Sequence, residues 1–362
     1  MIQLRVAAVL ILLSIAPTYA DSVRIATFNV ELQRAGPGLL LRDILKGKDS
    51  QINAAANVIV RNRPDILALQ GFDWDYDTVA LKAFNTRLKA DGHGFAHLLA
   101  LQPNSGFATD LDLNEDGRLG HAADAQGFGE FTGQGGIAVL SRFPIDVGGV
   151  QDFSDVLWRD LPEALLPETP VKTPFPSEDA LAIQRLSSTG HWAVPIQIAK
   201  DQHITLLTFQ AGPPVFDGPE DRNGRRNHDE VLFWRHFLDG HIGTPPAGPF
   251  VLAGGANQDP HDGDGLHNAI RSLIEDPRLQ DPRPDSLGAS MAPDQGHAGP
   301  NALDTVDWPG PGRMRVDHIL PSAHWTVTDA GVFWPAPDNP DSAMALDASR
   351  HRLVWVDLRL DK

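Results

Sequence analysis

Asp112-Leu113-Asn114-Glu115-Asp116-Gly117 places oxygen-bearing side chains on alternate residues and closes on a glycine. That spacing suits a hard cation. The first, third and fifth positions of a calcium loop supply oxygens, and a glycine at the sixth makes the sharp turn. Asp110 precedes the run. Where such a loop would end on a bidentate glutamate the chain has Ala123, with Asp124 next, and no helical pattern flanks the segment. An EF-hand is therefore disfavoured, which leaves an isolated calcium turn or a solvated acidic loop. Calcium held there would be structural, ordering the loop rather than catalysing. A second cluster, Arg222, Arg225 and Arg226, stands in a loop ahead of a helical pattern. Guanidinium forks match phosphate and carboxylate, and a helix start adds free N–H groups. The competing reading is a basic loop offset by Glu220, Asp221 and Asp229.

Such loops need elements to carry them. Val23–Glu31 alternates apolar and polar residues as a strand does. Gln51–Arg63 repeats Ile52, Ala55, Val58 and Ile59 at helical spacing and stops at Pro64. Ile66–Leu69 predicts a short buried strand and Thr78–Asp91 a second amphipathic helix. Further strands are predicted over Gly135–Ser141, Trp192–Ile198, Ile204–Phe209, Phe250–Ala253, Val316–Leu320 and Leu353–Leu358, with a helix over His228–Leu238. Strands interleaved with helices, and several strands in succession, imply an α/β sandwich with mixed sheets. The Pro-rich segments Leu161–Pro176 and Asp276–Gly312 read as long surface excursions. Strand patterns of one type continue on both sides of them, which implies one domain over 21–362.

The first twenty residues carry one cation, Arg5, an apolar run from Val6 to Ile15, then Pro17 and small residues up to Ala20. This is the layout of a secretory signal cleaved near Ala20, and the run is too short to span a bilayer. A buried first helix is the alternative. The expectation is a secreted or periplasmic protein with no membrane span. Cysteine is absent, which excludes disulfides, thiolate metal sites and cysteine nucleophiles. A formal charge of −17 repels polyanions, so nucleic acid is disfavoured as a partner.

Five segments occur in an order and at separations that are informative together: Phe28-Asn29-Val30, Leu69-Gln70-Gly71-Phe72-Asp73, Leu252-Ala253-Gly254-Gly255-Ala256-Asn257, Arg315-Val316-Asp317-His318 and Ser349-Arg350-His351. With the stretch from Asp217 to Asn227, they resemble the endonuclease/exonuclease/phosphatase superfamily, and within it the exported bacterial branch. The resemblance implies a DNase I-like four-layered α/β sandwich of two mixed sheets flanked by helices. It also implies phosphoester hydrolysis with magnesium or manganese. An Asn from the first strand and a Glu from the second would hold the ion. An Asp and an Asn from a Gly-Asp-x-Asn segment would orient water and phosphate. A closing Asp-His pair, with a further His, would stabilise the transition state.

On that resemblance Asn29, Asn257, Asp317 and His351 match catalytic positions, with Asp317 in support. Gly71 stands where the metal-binding Glu is expected, Gly255 where the water-activating Asp is expected, and Arg350 where the Asp that orients the imidazole is expected. Gln210 stands for the further His. Glycine offers magnesium no oxygen, and glutamine donates a hydrogen bond but carries no proton or charge. Asp73 shares a strand face with Gly71 and could compensate; with Asp75, its other reading is a solvated loop acid. His351 is expected to lack a carboxylate partner. Losing three acids and gaining a guanidinium moves the pocket about four charges toward positive, so Arg350, Gln210, Arg222 and Arg225 are expected to hold an anion without a metal. The resulting expectation is a catalytically impaired phosphoesterase that binds a small anionic or phosphorylated ligand. Two alternatives stand beside it: an active metal-dependent phosphoesterase with a rearranged site, and a protein-interaction module.

Overall fold

The computed structural model describes residues 22–292 and 296–360. Strands in chain order are β1 Val23–Leu32, β2 Ile66–Phe72, β3 His97–Leu99, β4 Gly136–Ser141, β5 Gln151–Asp152, β6 Gly190–Ala199, β7 Gln202–Gln210, β8 Phe250–Gly255, β9 Val306–Trp308, β10 Gly312–Met314, β11 Asp317–Pro321, β12 Trp325–Val332 and β13 Val354–Leu360. Helices are α1 Leu39–Lys46, α2 Ser50–Asn62, α3 Val79–Ala90, α4 Glu178–Ile183, α5 Arg222–Leu238, α6 Asn268–Ile274, α7 Leu287–Ser290 and α8 Ser342–Ala348. One sheet has the order β12-β13-β1-β2-β4-β3 and the other β11-β8-β7-β6-β5, with β9 and β10 as a separate ribbon. Both sheets are mixed, since β1–β2 and β7–β8 pair parallel and their other pairings are antiparallel.

Period-two alternation sends successive strand residues to opposite faces, and here both faces are covered. Phe28, Val30 and Leu69 pack under Leu40, Ile52 and Phe84 of the first three helices. Ile25, Ala68, Val139, Leu206, Val251, Ile319 and Val356 meet between the sheets. Leu207, Phe209 and Leu252 pack against Phe233, Trp234 and Phe237 of α5 and Ile270 of α6. The result is helix, sheet, sheet, helix: the four-layered sandwich expected from the sequence. The Asp49 carboxylate accepts the Ile52 N–H at 2.9 Å to start α2, and Arg63 ends it in the left-handed region just before Pro64.

At one end of the space between the sheets the apolar rows turn polar. The same alternate positions that supply Ile25, Ala68, Leu206, Ala253 and Ile319 continue as Thr27 and Asn29, Gln70, Thr208 and Gln210, Gly255, and Asp317. The candidate residues therefore sit where the inter-sheet core gives way to solvent. Several elements differ from expectation. The helix expected from His228 begins at Arg222, α1, α6, α8 and β12 add to the expected elements, and the excursion from Asp276 to Gly312 contains α7 and β9. The proposed signal segment lies outside the described residues. Among the described residues no helix is long and apolar enough to cross a membrane.

Candidate functional site

His351 lies in the loop entering β13 and meets the end of β1. Its Nδ1 is 2.8 Å from Asp317 Oδ2, and its Nε2 is 3.4 Å from the Asn29 amide nitrogen. Asp317 is fully buried at the start of β11. Thr305 donates its hydroxyl to the same carboxylate oxygen at 2.9 Å and accepts the Val316 and Asp317 N–H groups at 3.0 Å. A carboxylate can only accept, so Nδ1 carries a proton and donates it to Asp317, which leaves Nε2 facing Asn29. The Trp308 ring stands edge-on to the imidazole, 5.4 Å between centroids. The expectation that His351 lacks a carboxylate partner is thus corrected. Asp317 supplies it from another strand.

Arg350 turns to Glu31, a residue outside the sequence-based candidates. Arg350 donates Nε to Glu31 Oε1 at 2.9 Å, adds its Nη2 to the same oxygen, and donates its backbone N–H to Oε2 at 2.8 Å. Ser349 donates its hydroxyl to Glu31 Oε2 at 3.1 Å and to the Asn29 carbonyl at 2.8 Å. Burial pushes the Glu31 pKa up, but the hydrogen bonds from Arg350 outweigh it and hold the carboxylate below its ordinary range. The signal that could have found Glu31 is its parity: it lies two residues beyond Asn29, as strand neighbours on one face do. The guanidinium expected to clamp an anion is already paired.

The two glycines have been absorbed into the structure. Gly71 has φ +68, and a Cβ there would lie 2.4 Å from Asn29 Oδ1 and 3.0 Å from the Glu31 nitrogen. The register of β1 against β2 shifts at this point. A Cβ on Gly255 would lie 2.1 Å from Gln210 Oε1, so Gln210 fills the room an acid would need. Gln210 Oε1 is buried without a hydrogen-bond partner. Asn257, at φ 49, donates its amide to the Ala211 carbonyl at 2.8 Å. Asp73 does not compensate for Gly71. Its oxygens accept the Gly135 and Arg34 N–H groups at 2.9 Å, burial pushes it up to about 6, and it lines a separate recess with Trp74 and Asp75. Asp75 caps α3 through the Val79 and Ala80 N–H groups.

Asn29, Glu31, Asn257, Arg350 and His351 line a cleft of about 520 Å³ with Trp308 on one wall. Gln210, Pro213, Phe216 and Asn257 also border a wider cleft of about 950 Å³. Asp259, Asp262 and Asp264 face the smaller cleft too. With Glu31 they set four carboxylates against one guanidinium, a formal excess of three negative charges with histidine neutral. The expected positive pocket is therefore corrected to a negative one.

The other candidates have structural partners. Arg222, Arg225 and Arg226 lie within α5 rather than in a loop ahead of it. Arg226 is buried and donates to the carbonyls of Gln126, Arg185 and Leu186 at 2.5, 2.8 and 2.9 Å. Arg222 donates to the Leu113 carbonyl, and Arg225 to the Leu166 carbonyl at 3.4 Å. These guanidinium groups fasten loops. In the acidic turn, Asp112 accepts the Asn114, Asp116 and Gly117 N–H groups, Asp116 that of Arg118, and buried Asp124 those of Leu113 and His121. Among the described residues no group of three or more His, Cys, Asp or Glu is arranged to hold a metal ion, around Asp110 or elsewhere. The smaller cleft likewise does not fit magnesium or manganese, because Gly71 brings no oxygen and Glu31 is taken by Arg350.

A profile of the Endonuclease/Exonuclease/phosphatase family matches residues 26–351. No curated protein matches the sequence. Among solved structures, an endonuclease/exonuclease/phosphatase from Beutenbergia cavernae aligns with a TM-score of 0.56 at 19% identity, over 94% of this chain and 72% of that one. An endonuclease/exonuclease/phosphatase family protein from Leptotrichia buccalis aligns with a TM-score of 0.52 at 15% identity, over 93% of this chain and 100% of that one. At these identities the likeness is one of fold.

Proposed function

Because the chain belongs to the endonuclease/exonuclease/phosphatase family, we propose that it keeps the family's phosphoesterase scaffold as a ligand-binding cleft and has lost metal-dependent ester hydrolysis. The observation that carries this is Gly71. The resemblance puts a metal-binding Glu there, yet the backbone has φ +68 and a Cβ added there would lie 2.4 Å from Asn29 Oδ1. Gly71 itself brings no side-chain oxygen to the cleft. What remains can hold and orient a polar molecule: the Asn29 and Asn257 amides, His351 Nε2, and the solvent side of Arg350. Only Arg350 among them brings a permanent charge, already paired with Glu31, and the cleft around them is acidic. A neutral or cation-bearing polar ligand therefore suits it better than free phosphate.

The test is turnover of an aryl phosphate monoester and a diester with Mg²⁺, Mn²⁺ or Ca²⁺. The expected rate equals that of His351→Ala with each metal, and calorimetry with inorganic phosphate gives no saturable heat. A metal-dependent rate that vanishes in His351→Ala would instead establish the second reading, an active phosphoesterase with a rearranged site. The intact Asp317–His351 pair beside Asn29 favours that reading. Export is part of the proposal, on the pattern over Met1–Ala20. N-terminal sequencing of the mature protein should begin near Asp21.

A further inference from the structure

A half-buried carboxylate in a metal-binding fold calls for a cation, and this cleft contains one that is covalently attached. Glu31 and Asn29 line the same cleft, Glu31 lying where the register of β1 against β2 shifts. The two oxygens of Glu31 are used differently. Oε2 accepts the Ser349 hydroxyl and the Arg350 backbone N–H, whereas Oε1 accepts only the Arg350 side chain, through Nε and Nη2. Asn29 Oδ1, two residues back, accepts the Glu31 N–H at 3.2 Å and is packed against Gly71, where a Cβ would come within 2.4 Å of it. Truncating Arg350 at Cβ would free one carboxylate oxygen in the cleft. It would leave the two hydrogen bonds that hold the carboxylate in place.

We propose that the Arg350 guanidinium is the resident cation of this cleft, neutralising Glu31 as a divalent ion would, and that removing it opens a weak divalent-cation site on Glu31 Oε1. The chemistry favours a water-rich site, since magnesium-type ions are held by one or two carboxylates with several retained waters. A guanidinium forming two hydrogen bonds to one carboxylate oxygen competes with such an ion directly. The inference rests on the preceding reading that metal-dependent hydrolysis has been lost, and it adds the group that excludes the metal.

The experiment is titration with MnCl₂ alone, followed by calorimetry and by water-proton relaxation, on the wild type, Arg350→Ala, Arg350→Lys and Arg350→Ala/Glu31→Gln. Arg350→Ala should bind one more Mn²⁺ than the wild type, at least tenfold tighter than any ion the wild-type cleft takes. Arg350→Lys keeps a cation and should titrate like the wild type, and the double variant should lose the added ion. If Arg350→Ala folds poorly, Arg350→Gln, which keeps most of the stem, should give the same added ion. A titration of the Ala or Gln variant that overlays the wild type, or an added ion that survives Glu31→Gln, would overturn the proposal. A flat titration without wild-type turnover sinks this inference alone, whereas wild-type turnover sinks the earlier reading whatever the titration shows.

Discussion

Glycines 71 and 255 are alike in lacking a side chain and differ in what that absence requires. Gly71 combines a left-handed backbone with contact to Asn29 and to the Glu31 backbone, so both strain and overlap oppose any side chain. Gly71→Ala should cost about 1–3 kcal/mol in urea unfolding, with no single partner whose truncation restores it. At Gly255 the obstacle is the end of one flexible side chain, Gln210. Gly255→Ala should therefore destabilise alone and recover in Gly255→Ala/Gln210→Ala, giving a coupling of roughly 0.5–3 kcal/mol in a double-mutant cycle. Asp317→Ala strips partners from a buried imidazole N–H and from the Thr305 hydroxyl. It should cost roughly 2–3 kcal/mol by the same measurement.

His191, on β6, is enclosed by Phe209 of β7 and by Phe233 and Trp234 of α5. Burial pulls its pKa down to about 4, so it stays neutral in the folded protein while the unfolded chain takes up a proton below about 6.5. Stability should therefore fall as pH drops from about 6.5 to 4, by on the order of 3 kcal/mol from this group. His191→Gln should flatten that slope in urea midpoints measured across the interval. The elements around it were largely legible in the sequence, because alternating and helical patterns record which face is covered. Hence β6, β7 and α2 lie within a few residues of expectation. The start of α5 was not legible, because its first turns are polar and packed against neighbouring loops rather than forming an apolar stripe. Nor was the pairing of Asp317 with His351, since it depends on how β11 and β13 converge from opposite sheets. Asn29, Asn257 and His351 were recognisable from local motifs, whereas Glu31 matters only because Arg350 arrives from more than three hundred residues away.

Taken whole, the molecule carries a formal charge of −17, and its cleft shares that sign. Self-repulsion weakens the compact state and salt screens it. Raising NaCl from about 0.02 to 0.5 M should raise Tm by a few degrees, and duplex DNA should show no mobility shift at about 0.1 M salt. The chain also closes on itself: β13 pairs antiparallel with β1, and the loop entering β13 delivers Ser349, Arg350 and His351 to the end of β1. On the ribosome, β1 emerges long before β13 and waits with an unpaired edge until that strand has been synthesised. A nascent chain halted before β13 would carry Asn29 and Glu31 without either partner. Ligand competence should therefore arise in one late step of biosynthesis, with no partly functional intermediate before it.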